Sequence, residues 1–176
     1  MEKIDLSQKA CDERLFLALM DVTINTEAWA QDTWACDKRF FTNLSELESA
    51  TQKINEQLQK GVKHPCGTVA CLAGNAAMAA GLVEARPDRW GEMVSFHIKE
   101  EAGEALGMNY PTSSWSEVGV ALFGLDYSDA VTLFDGENTL NNLWNYAKQF
   151  NNGRVKLPKA LKDRVKRIDR DREWGL

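Results

Sequence analysis

Thirteen consecutive residues, Thr68 to Ala80, carry no charged side chain, and most of them are alanine, glycine or another small residue. A helix without a polar face has no stable place on a surface, so this segment predicts the buried centre of a domain, with neighbours approaching its backbone closely. Gly81 closes it. The fold expected is mainly α: a single-domain helical globule around a buried central helix at about 68–80.

The flanking sequence supplies helices to surround that centre. Ser7 opens a first helix with Ala10, Leu15, Phe16, Leu19 and Met20 on one face, expected to end by Asp21. Ser45 and Glu48 have the spacing of a reciprocal N-terminal cap and signal a second helix, with Leu47, Ala50, Ile54 and Leu58 inward and Gly61 as its left-handed stop. Apolar periodicity and cap residues predict further helices over 95–106, from the Ser114–Glu117 pair to Gly124, after a cap at Asp126 or Ser128, over 139–150, and from Pro158 to Asp171. Between the first two helices, Val22, Thr23, Ile24, Trp29 and Trp34 favour extended backbone, so 22–42 is expected to be irregular with a short strand.

A chain of 176 residues fits one hydrophobic core. Its charge is unevenly spread. From Arg154 to Leu176 there are nine Lys/Arg against four Asp/Glu, a net of +5, which leaves −10 on Met1 to Gly153. The expected organisation is an acidic helical body, 1–153, and a basic C-terminal helix or tail, 154–176, docked on it. The acidic body speaks against general nucleic-acid binding by phosphate neutralisation, whereas the tail suits an anionic partner. Met1 to Leu6 lacks the basic flank and apolar run of a leader, and no stretch approaches the roughly 20 apolar residues that span a bilayer. No membrane association is expected, and a cytoplasmic location with reduced thiols is.

The segment from His64 to Cys71, His-Pro-Cys-Gly-Thr-Val-Ala-Cys, concentrates the candidate chemistry. Cys66 at the entrance of the central helix would meet unpaired amides and the positive end of the helix dipole, which favour a thiolate, and His64 or His97 could act as its base. Cys36, His64, Cys66 and Cys71 are soft ligands suited to tetrahedral zinc, although the second ligand pair of a usual zinc knuckle is missing. The favoured reading is that the thiols pack in the core, so neither a catalytic nor a metal role is preferred and no cofactor is expected. Backbone amides at Cys66, Gly67 and Thr68 would suit a small anion at the helix start. Trp90 and Trp115 lie in polar, loop-like sequence and are candidates for a ligand or partner surface.

The pattern Cys66-Gly67-Thr68-x-x-Cys71-x-Ala73-Gly74-x-Ala76, preceded by Asp32-Thr33-Trp34 and followed by Phe123-Gly124-Leu125, Ala130 and Leu133-Phe134, resembles a scattered set of small uncharacterised bacterial and phage proteins. The likeness runs from Trp34 to Phe134. Asn75 departs from the His or Trp expected after the glycine, which argues against a catalytic ring at that position. The resemblance implies a helical fold and a phage or mobile-element origin, and it implies no reaction. The expected function is a non-enzymatic binding or interaction protein that acts as an inhibitor of a host defence or regulatory protein, or sequesters a small anionic ligand. The alternatives are a cysteine-nucleophile enzyme using Cys66 and a zinc-stabilised module.

Overall fold

The computed structural model describes residues 4–29, 35–37, 39–65, 68–108 and 115–173. The chain begins with helix α1, Gln8–Ile24, whose first turn is capped by the Ser7 hydroxyl accepting from the Ala10 amide. Its inward face, Cys11, Leu15, Leu19 and Val22, is fully buried. Helix α2, Leu44–Gln59, buries Leu47, Ala50 and Ile54 and ends where Gly61 turns left-handed at φ 77°. There the Val62 amide closes back on the Gln57 carbonyl at 3.0 Å, satisfying one of the helix's last free carbonyls.

The expected central helix is real but one turn shorter. Residues Thr68–Ala70 form a strand, β2, and the helix, α3, spans Leu72–Ala79. Cys71 sits at the joint as the N-cap, its Sγ accepting from the Gly74 amide at 3.5 Å. Every residue from Leu72 to Met78 is buried, as expected for the centre of the domain. The three residues before it are drawn into a sheet by antiparallel pairing with β1, Ala35–Asp37. That strand falls within the stretch expected to be irregular or extended.

Two further strands, β3 (Val83–Pro87) and β4 (Val94–Ile98), form a hairpin and complete an antiparallel sheet of order β2-β1-β4-β3. The helix expected over 95–106 is therefore corrected. Phe96 and Ile98 belong to a strand that buries alternate residues, and only Glu100–Ala105, α4, is helical. Among the described residues five more elements follow: α5 (Trp115–Phe123), α6 (Tyr127–Leu133), α7 (Leu140–Phe150), a short 3-10 turn (Lys159–Leu161) and α8 (Lys162–Glu173). Asp126 caps α6 and Thr139 caps α7, each through its side chain. Ser114 of the expected capping pair lies outside the described residues.

Helix α3 packs against α1 and α5, while α2 covers the hairpin. Mainly α, with a small sheet on one side, is thus the observed architecture. No helix among the described residues is long and apolar enough to cross a membrane.

Candidate functional site

The last third of the chain builds a cleft. Helix α7 ends in a reversal that needs two left-handed residues in succession, Asn152 at φ 50° and Gly153 at φ 78°, a conformation those residue types accept at least cost. The chain then returns along α7 and enters α8, whose Val165 is fully buried.

Three arginines hold this arrangement. The Arg164 guanidinium donates to the carbonyls of Thr23 at 2.8 Å and Ile24 at 3.0 Å, where the C-terminal end of α1 carries partial negative charge. Arg172 lies over the Trp29 ring, 4.3 Å from its centroid, and Arg154 pairs with Asp12 at 2.5 Å. In addition, Asp169 of α8 accepts from the Leu140 and Asn141 amides at 2.8 and 2.9 Å, capping α7 from outside. The planar guanidinium fork suits carbonyl pairs and ring faces, which explains why arginine rather than lysine occupies these positions.

The lysines are left for the opening. Lys148 on α7, Lys156 in the connection, and Lys159, Lys162 and Lys166 on the last turns and helix face a cleft of about 750 Å³, together with Arg154. All five lysines are exposed, and no carboxylate lines the cleft among the described residues. Their spacing is helical on both walls: Asn141, Asn145 and Lys148 lie on one face of α7, and Lys159, Lys162 and Lys166 repeat every three to four residues opposite them. The floor is apolar. Phe16, half-buried, meets Trp144 edge-on with centroids 6.0 Å apart, and Leu157 and Pro158 close the side. A volume within the ordinary ligand range of roughly 300–1,000 Å³, an apolar floor and a cationic rim describe a container for an amphiphilic anion.

A second constellation stands between α1 and the loop after α2. His64 Nε2 lies 2.7 Å from Asp21 Oδ2, each side chain about four-fifths buried, and Asn25 donates to the other Asp21 oxygen at 2.8 Å. Burial pushes the Asp21 carboxyl up, but His64 at this close range, with help from Asn25, outweighs it and leaves the group below its ordinary range. The 2.7 Å contact is a close approach of charges rather than a well-directed hydrogen bond, and neither His64 ring nitrogen has a hydrogen-bond partner of good geometry among the described residues. Asp21 also borders a smaller groove of about 180 Å³ lined by Arg14, Lys63 and Asn75.

The residues singled out from sequence fall in different places. Cys66 and Gly67 lie outside the described residues, as does the side chain of Thr68. Cys71 is buried, and burial drives its thiol up to about 11, so it stays protonated and unreactive near neutral pH. The amides that open α3 are enclosed, because Leu72, Ala73, Gly74 and Asn75 are all buried. Asn75, the residue that departs from the resembled pattern, donates to the Ala70 and Cys71 carbonyls at 2.7 and 3.1 Å and ties β2 to α3. Cys36 sits on β1 opposite Val69, and no cluster of three metal-ligating side chains occurs among the described residues. His97 is on β4 beside Arg86 and Glu84; burial, then the Arg86 charge, lower its pKa. It stands two strands from β2.

Trp90 occupies the β3–β4 turn, 68% exposed, with the Arg89 guanidinium 4.0 Å above its ring, whereas Trp115 begins α5 half-buried against the core. The lysine cleft was missed from sequence. Its signal was present as two helically spaced stripes, 141/145/148 and 159/162/166, flanking one chain reversal. Comparison with family models, with curated proteins and with solved structures returned no match to this chain.

Proposed function

We propose that this chain is a non-enzymatic binding protein whose ligand is a compact, multiply charged anion held in the cleft between α7 and α8. The observation that carries the reading is the convergence of Lys148, Lys156, Lys159, Lys162 and Lys166 on one concavity of a chain whose first 153 residues bear a net −10. Packing like charges together costs energy when nothing neutralises them, and an arriving anion recovers that cost. The test is calorimetric titration with inorganic tripolyphosphate at low ionic strength. Saturable binding is expected, weakening as salt rises and falling about tenfold or more in Lys162→Glu/Lys166→Glu. Heat-silent titration of the folded wild-type protein rejects the reading.

A second reading is favoured by one feature, the Asp21–His64 pair. A carboxylate 2.7 Å from one nitrogen of a buried imidazole is placed as the orienting half of a nucleophile-activating unit would be, and Cys66 follows His64 by two residues. On this reading the chain is a cysteine-nucleophile enzyme. Fast alkylation of Cys66 near neutral pH, slowed in His64→Ala, supports it; labelling only after unfolding removes it.

A further inference from the structure

Resting on the reading of the lysine cleft as an anion site, we infer that its ligand is a nucleoside polyphosphate, with the phosphates on the lysine rim and the base on the apolar floor. The cleft combines carboxamides, an apolar floor and a row of cations, and the combination is what selects the ligand. On the α7 wall, exposed Asn141 and Asn145 stand one turn apart and are followed by Lys148, so carboxamides give way to a cation along a single face. Each carboxamide offers a donor and an acceptor side by side, the pairing that a base edge presents in return. Phe16, Leu157 and Pro158 supply flat apolar contact beside them. Across the cleft, Lys159, Lys162 and Lys166 span two turns, and with Lys156 they place four point charges along a run that a chain of phosphates can follow.

Inorganic polyphosphate would use the cations and leave the amides and the apolar floor unoccupied. A long nucleic-acid strand would have to leave the cleft over a body that carries net negative charge. A ligand with one aromatic base and a short polyanion uses the apolar floor and the cations together and stays within about 750 Å³.

The experiment is parallel titration of the full chain with the common ribonucleoside triphosphates, with inorganic tripolyphosphate and with a single-stranded oligonucleotide. At least one nucleoside triphosphate is expected to bind about tenfold or more tighter than tripolyphosphate, the increment that base stacking and one amide contact supply. Two exposed positions separate base from phosphate recognition without threatening the fold: Asn145→Ala should weaken the triphosphate and leave tripolyphosphate unchanged, whereas Lys162→Glu should weaken both. Equal binding of all triphosphates and tripolyphosphate overturns the nucleotide assignment while the anion site stands. Tightest binding by the oligonucleotide overturns it in favour of a strand, and binding by none of the probes overturns the assignment and the anion site together.

Discussion

Thr23 shows how one residue can hold three elements. Its hydroxyl donates to the Leu19 carbonyl at 2.6 Å and accepts from the Trp144 indole at 3.1 Å, while its own carbonyl receives Arg164. Thr23 and Trp144 are both buried, so Thr23→Val keeps the shape but strands the indole N–H, at a cost of about 1–3 kcal/mol. Thr23→Ser, which keeps the hydroxyl, should cost less, and chemical denaturation of the pair checks the order. Sequence reading placed Thr23 in extended backbone because it is β-branched and follows Val22; helix α1 runs on to Ile24 because this network and Arg164 satisfy its last turn. Asp21, one turn back, predicts an acid limb. A carboxyl held low in the folded chain contributes stability that is complete above its ordinary value of 3.8 and is lost as pH falls through the lower folded value. The stability gap between wild type and Asp21→Asn should therefore narrow as pH drops below about 4, measured by denaturation at stepped pH. A gap that widens there would show that His64 does not hold the carboxylate.

Among the secondary elements, the sheet owes its isolation to side chains that no pattern announces. Strand β3 is an outer strand, and Asn55 of α2 closes its middle: the Asn55 amide donates to the Ala85 carbonyl at 2.9 Å and its oxygen accepts the Ala85 amide at 2.8 Å. One carboxamide thus imitates the next strand and denies the edge to other chains. On the opposite edge, Trp29 bridges to Ala70 of β2. Asn55→Ala should cost about 1–3 kcal/mol by leaving two half-buried backbone groups unpaired, and amide exchange at Ala85 should accelerate. Unchanged exchange there would mean that water already serves the edge. The helices were legible because a period of 3.6 persists over three or more turns, as in Leu47, Ala50 and Ile54. The hairpin was not, because Ala102 and Leu106 stand one helical turn apart and invite a helix extended back over Phe96, while the alternation of Val94, Phe96 and Ile98 lasts only five residues. Gly119 was equally silent: a Cβ there would overlap the Phe134 ring, so α5 and α6 approach through it.

Across the whole molecule, the division of labour between arginine and lysine decides whether the cleft exists. The sequence displays a basic tail on an acidic body, but it does not say which cations face inward, because that depends on where the returning chain meets α1. Arg164 and Arg172 of α8 direct their charge to the body, at carbonyls and a ring, and so orient the opposite face of α8, with its lysines, toward α7, while Arg154 ties the returning chain to Asp12. Removing one such anchor should therefore affect the tail before the core. Arg164→Met keeps the aliphatic stem and loses both carbonyl contacts, about 1–2 kcal/mol given their partial exposure. The expected result is faster hydrogen exchange across α8 and at the α7 N-terminus that Asp169 caps, with α2 and the β3–β4 hairpin as protected as before. Saturating tripolyphosphate should restore protection to α8, since a ligand that bridges both walls binds only the docked arrangement. Uniform loss of protection through every element would show instead that body and tail unfold as one cooperative unit, and that the cleft is as rigid as the core beneath it.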